Sequence, residues 1–341
     1  MCLAAHNFRS SYFLPFMYYL PLWQYYSVMK SCPYSSPWHD SSYLQLKLYC
    51  IALFLCLAIP SPLFAYSQYC DASIARSHVE LGRTKLEKSR LDAGTAAKVA
   101  ITTNAANFSW LLSSEPGHSL SLSFDTLYTI MDFDSITAMT NGHLHTWGLS
   151  LSGLLKKNGA EIFYNVTPGI SVSSNALKNP ELINGESLQL TTSLINKKDI
   201  HQKYAWVLGF MSDYRFGDYR VYPLLGVCLQ PSQDWLFQLA LPDFSIRKTF
   251  SSGVNLTLYA APEGNEWHVF SRDLQRNSQL GYNAIVTGIT AHWPVTPTFE
   301  FSLDVEKHIR REFSIVLDDN SLIQPGAASG MSLTLTGKIS F

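Results

Sequence analysis

An all-β transmembrane barrel is the fold class this sequence predicts, and three observations predict it. Short runs of alternating apolar and polar residues follow one another from about residue 106 to Phe341. The polar members of those runs are hydroxylic more often than charged, and aromatic residues recur near the run ends. Charged residues make up 15% of the chain while hydrophobic residues reach 47%, against roughly 25% charged in soluble proteins. A net charge of −1 also removes the basic surface that sequence-independent nucleic-acid binding requires, so no nucleic-acid partner is expected.

Taken in order, the chain begins with a secretory segment. Lys47 is followed by LYCIALFLCLAI (Leu48–Ile59), then by Pro60 and Pro62, and small residues lead to Ala65. Twelve apolar residues are too few to cross a bilayer core, which takes roughly 20 in a helix. A positive flank, a short apolar stretch and a small residue at the end define a cleaved signal peptide, so residues 1–65 are assigned to it and Tyr66 becomes the mature start. The first 28 residues are crowded with aromatics, and Met29-Lys30 makes a more ordinary beginning, so residues 1–28 are read as an artefact of start-site choice. Of the six cysteines, Cys70 and Cys228 survive cleavage. Two cysteines are no disulfide framework, and a bridge between them is not expected.

Residues 66–105 are the most charged part of the mature chain and read as a periplasmic or plug-like segment, with a short amphipathic helix near 74–91 as its weak structural signal. The barrel is expected over 106–341. There Leu333, Leu335, Ile339 and Phe341 oppose Ser332, Thr334, Thr336 and Lys338, and Phe299, Phe301, Leu303 and Val305 oppose Glu300, Ser302, Asp304 and Glu306. Side chains of a strand alternate between two faces, so each run carries one apolar and one polar face. Fifteen such runs occur, at 107–113, 119–130, 143–155, 160–172, 187–196, 204–215, 219–230, 234–241, 244–250, 253–260, 266–271, 280–293, 298–308, 311–317 and 331–341. Single-chain bacterial barrels have even strand numbers and need roughly 9–11 residues per crossing, which sets the expected antiparallel barrel at about 12 strands (range 10–14).

A half-apolar strand also suits a soluble sandwich, and a periplasmic β-rich binding module is the alternative. Small hydroxylic polar faces favour a lumen. Trp147, Tyr204, Trp206, Tyr214, Tyr219, Trp235, Trp267 and Trp293 suit the aromatic girdles of a membrane barrel. A terminal aromatic, Phe341, closing an alternating strand resembles the assembly signal of outer-membrane proteins. The expected partners are therefore outer-membrane lipid and lipopolysaccharide, with the barrel-assembly machinery acting on the last strand. The oligomeric state is not specified.

The stretch VYPLLGVCLQPSQDWLFQLALPD (Val221–Asp243) resembles a family of bacterial outer-membrane barrels known as domain of unknown function 6268. Pro223, Gly226, Pro231, Trp235 and Leu241-Pro242 carry the likeness. The order of the 254–260 strand, Arg272, the Tyr282–Trp293 strand and Arg311-Glu312-Phe313 extends it over about 115–341. The resemblance implies an outer-membrane barrel and no activity.

No catalytic, cofactor-binding or metal site is expected, and the protein is not read as an enzyme. His118-Ser119 lacks the surrounding signature of outer-membrane lipid hydrolases, whose lipid-modifying chemistry is the remote alternative. His143 and His145 share a strand face and could hold a metal jointly, but read more simply as rim residues; His268, His292 and His308 are isolated in sequence. Charges at Asp213, Arg215 and Arg220, at Asp304, Glu306 and Lys307, and at Arg310, Arg311 and Glu312 are the candidates for a charged lumen. A passive channel or a structural membrane protein in the outer membrane is the expectation.

Overall fold

The computed structural model describes residues 69–70, 76–91, 97–134, 142–271, 276–317 and 321–341; the expected signal peptide lies outside them. Its strands are β1 (His78–Arg90), β2 (Lys98–Glu115), β3 (His118–Asp134), β4 (Gly142–Lys157), β5 (Ala160–Ser173), β6 (Leu188–His201), β7 (Tyr204–Asp213), β8 (Arg220–Ser232), β9 (Trp235–Leu241), β10 (Phe244–Thr249), β11 (Asn255–Ser271), β12 (Arg276–Pro294), β13 (Phe299–Leu317), two short pieces β14 (Leu322–Ile323) and β15 (Gly326–Ala327), and β16 (Gly330–Ser340). Each of β1–β13 pairs antiparallel with the next, and β16 bridges β13 to β1. The ring therefore closes with 14 strands, with β14 and β15 resting on β13 beside it. Closure removes the unpaired strand edges that hydrocarbon does not tolerate, and the sandwich alternative falls with it.

The expected 12 strands are corrected to 14, for identifiable reasons. The runs at 253–260 and 266–271 are one strand, β11. Those at 298–308 and 311–317 are also one, β13, divided by a bulge where Arg310 has φ 49° and Arg310-Arg311 together face Ala284. A bulge shifts the alternation by one residue, so Asp304, Glu306 and His308 are buried below it, and Arg311, Phe313 and Ile315 above it. Of the segment expected as a helix near 74–91, residues 78–90 are instead β1, and residues 78–90 and 98–105 belong to the wall. The barrel begins at His78 rather than near residue 106.

Alternation places the faces as expected. Along β16, Leu333 and Leu335 are 48% and 38% exposed, whereas Ser332 and Thr334, which alternate with them, are 4% and 6%. Trp110, Phe124, Leu149, Trp206, Phe210, Leu225 and Leu258 continue the exposed apolar band around the ring. Buried residues of the same strands are Ser109, Ser123, Ser150, Ser212 and Thr257. Cross-strand hydroxyl pairs such as Ser123–Ser109 (3.0 Å), Thr146–Ser171 (2.9 Å) and Thr192–Ser212 (2.8 Å) line the inner wall.

Tight connections at residues 116–117, 158–159, 202–203 and 233–234 lie at one end, together with Ser340 and Ser77, whose carbonyl accepts the Phe341 N–H. Longer connections lie at the other end, including 174–187 and 214–219. In outer-membrane barrels the short turns are periplasmic, and the two ends are labelled accordingly.

The two halves differ in cross-section. β10 is only six residues long and reaches β11 as far as Ala260. Beyond it β11 meets β5 through a parallel bridge, His268 to Val172. Asn265 Nδ2 and Trp267 Nε1 donate to Thr146 Oγ1 at 2.9 and 3.1 Å, and Ser171 Oγ donates to the Glu266 carbonyl at 2.7 Å. The outer half therefore closes through a narrower ring in which β11 abuts β4 and β5 directly. That ring is filled by Leu86, Val99, Ile101, Met131, Leu144, Trp267, Leu280, Tyr282 and Phe313, all buried. Burying large apolar side chains contributes on the order of 1.5–3 kcal/mol each, so this packing is a seal of the outer lumen.

Candidate functional site: a polar chamber beneath an apolar ceiling

Below that seal the full ring encloses a cavity of about 940 Å³. Trp267, Tyr282, Leu86 and Met131 form its ceiling, while Lys338, His292, Glu300 and Arg247 line its periplasmic end. Acidic side chains are the larger share of the charged lining: Glu80, Asp125, Glu161 and Asp213, with Glu263, Glu300, Asp304 and Glu306. Among the described residues, four lysines and arginines stand against these eight carboxylates: Lys197, Arg215, Arg247 and Lys338. Several are already matched, since Lys197 lies 3.1 Å from Glu161 and Lys338 lies 3.5 Å from Glu300. Asp125 accepts from Asn107 Nδ2 at 2.6 Å and from Ser150 Oγ at 2.8 Å. Acidic side chains thus outnumber lysines and arginines in the chamber lining.

An acidic stripe follows from strand geometry alone. Glu300, Asp304 and Glu306 project from one face of β13, and Glu263 of β11 joins them at the top. Glu306, Gly288 and Tyr259 lie in register across β13, β12 and β11. A Cβ on Gly288 would stand 2.8 Å from the Tyr259 ring, so the absent side chain lets that ring lie flat over β12. Its hydroxyl thereby reaches Glu306, to which it donates a hydrogen bond. Ser332 Oγ donates to the other oxygen of Glu306 at 2.6 Å. His308 stands between two carboxylates, with Nδ1 3.6 Å from Glu263 and Nε2 3.6 Å from Glu306.

A second cluster closes the side wall. Arg215 Nε lies 2.9 Å from Asp213, its Nη1 2.9 Å from Asp243, and its Nη2 donates to the Tyr222 hydroxyl at 2.6 Å. Tyr69 donates to Asp243 from the lumen side. The next residue, Cys70, forms a disulfide with Cys228 of β8, with Cα atoms 5.6 Å apart. The expectation of unbridged cysteines is thus corrected: β8 presents Cys228 inward, where Tyr69 and Cys70 pack against Val207, Met211, Leu224 and Ala240.

The remaining sequence candidates are distributed as follows. Arg220 pairs with Asp218 at 2.7 Å in an exposed position, and Lys307, Arg310 and Glu312 point outward; only Asp213, Arg215, Asp304, Glu306 and Arg311 reach the interior. His143 and His145 share the outer face and stack against Tyr128, with ring centroids 5.9 and 4.9 Å away. Their nitrogens bond the Tyr128 hydroxyl and Ser174 Oγ. His118 lies at the 116–117 turn, away from the cavity lining. Trp267, expected in a girdle, is 4% exposed because alternation puts it on the inward face of β11 with Thr257, Tyr259 and Ala261. Glu263, Tyr259, Asp243 and Tyr69 were not singled out by sequence, where only a lone carboxylate after Pro262 marked the first.

A closed ring with an apolar outer band and a polar lumen defines a transmembrane β-barrel of the bacterial outer-membrane type, surrounded by membrane lipid. No known family matches the sequence, so the resemblance to domain of unknown function 6268 goes no further than the barrel, and no curated protein is similar to it. Among solved structures the chain is similar to the COG4313 outer membrane channel from Pseudomonas putida F1, at 9% identity and TM-score 0.47, covering 82% of this chain and 100% of that one. It is also similar to a deletion mutant of the TodX monoaromatic hydrocarbon channel, at 9% identity and TM-score 0.44 over 79% of this chain and 91% of that one. The beta domain of the Bordetella autotransporter BrkA follows at 8% identity and TM-score 0.35, over 78% and 100%. Nothing about this chain's cargo follows from these likenesses.

Proposed function

We propose that the protein is a passive outer-membrane channel that prefers small cationic solutes and is closed on its outer side in the conformation described. The observation that carries this is the eight-to-four excess of carboxylates over lysines and arginines around one chamber. Rings of acidic side chains select cations in a pore, and low-dielectric walls raise the local concentration of counter-ions. Residues 1–65 would serve as the export signal and be absent from the mature barrel.

Purified protein in a planar bilayer under a salt gradient tests the proposal. Wild type should show rare openings, and Trp267→Ala with Leu280→Ala should raise conductance at least tenfold, with a cation-selective reversal potential. Heat-modifiable migration would verify that the double variant is folded. Silence from both folded proteins would assign the barrel a structural role instead.

A further inference from the structure

We propose that Glu263, Glu306 and His308 form a binding site for a divalent transition-metal ion at the closed end of the chamber, whether or not the barrel conducts. One ligand atom from each residue lies within 4.8 Å of the other two. Two carboxylates and an imidazole are a donor set suited to first-row ions such as Zn²⁺, Co²⁺ or Mn²⁺, and the imidazole disfavours Ca²⁺ and Mg²⁺. Three protein ligands leave coordination positions open toward the chamber.

The surroundings hold these donors as metal sites usually do, through hydrogen bonds one layer out. Glu306 receives the Tyr259 hydroxyl on one oxygen and Ser332 Oγ on the other. His308 Nδ1 faces the Tyr282 hydroxyl at 3.3 Å, and its Nε2 lies 2.8 Å from Ser332 Oγ. Arg311 is the opposing charge. Its Nε donates to the Tyr282 hydroxyl at 3.4 Å and its Nη1 to the Ala328 carbonyl at 3.1 Å, with Ser89 also bound. Tyr282 thus separates the guanidinium from the imidazole, while Asp304, two residues below Glu306 on the same face, adds negative charge. An ion would enter from the periplasmic end and stop at the apolar ceiling.

The test uses untagged, chelator-stripped full-length barrel in detergent, titrated with Zn²⁺ alone by calorimetry. One Zn²⁺ per chain is expected. Glu263→Gln and His308→Ala should each weaken affinity by about tenfold or more, as loss of supporting groups already does at metal sites. Glu80→Gln, elsewhere in the chamber, should change it less than threefold. Co²⁺ should give a visible absorption band in wild type that His308→Ala abolishes, and heat-modifiable migration would confirm that each variant is folded. Absence of saturable Zn²⁺ binding by wild type, or binding unchanged in folded Glu263→Gln and His308→Ala, would overturn the site. Because binding is read without conduction, a silent bilayer and a failed titration are distinguishable results.

Discussion

Cys70 is bonded to Cys228 across 158 residues of chain, which fastens the segment ahead of β1 to the inner wall of β8. In the loop-entropy picture a closure of that length contributes about 5 kcal/mol, and the bond requires the oxidising environment outside the cytoplasm. Protein made without residues 1–65, the proposed export signal, which hold the other four cysteines, should therefore take up no maleimide until reduced and two per chain afterwards, read by intact mass. Labelling without reduction would show that the segment is untethered.

Leu335 and Thr336 are adjacent on β16 but face lipid and lumen respectively. Arginine facing lipid costs roughly 2–4 kcal/mol near the bilayer midplane, whereas the chamber can hydrate it among its carboxylates. Leu335→Arg should lose most heat-modifiable barrel in the outer membrane, and Thr336→Arg should lose little. Equal losses would mean that both faces are dry.

Arg215 neutralises Asp213 and Asp243, and the Asp243 side chain is 0% exposed. Removing one partner of a buried pair strands the other, at about 3–5 kcal/mol. Arg215→Met should lower the unfolding midpoint in urea accordingly, and adding Asp243→Asn should recover part of the loss. Additive losses would show that the two side chains do not interact.

Gly288 gives the Tyr259 ring its place. Gly288→Ala should lift that ring and free the Glu306 oxygen it bonds, weakening Zn²⁺ binding several-fold while the barrel stays heat-modifiable. Tyr259→Phe, which keeps the ring and loses the hydroxyl, should reproduce the binding defect. An unchanged titration for both variants would remove Tyr259 from the site's support.

The sequence by itself determined the barrel class and which side chains face lipid, because alternation with period two is a local property of every strand. Leu333, Leu335 and Val305 were legible outside, and Asp304 and Glu306 inside, before any neighbour was known. It hid β1, because its outward face carries Arg83, Lys85 and Glu87, the first two beside Leu335 and Leu333 of β16, so no apolar alternation marked it as a strand of the wall.

Only the tertiary structure decided who meets whom. Register across strands brings Glu263 from β11 to Glu306 and His308 of β13, and packs Trp267, on the inward face of β11, into the outer seal rather than a girdle. The same arrangement sets Cys70 against Cys228. Alternation specifies a face; closure and register specify height and partner, and those depend on all fourteen strands at once.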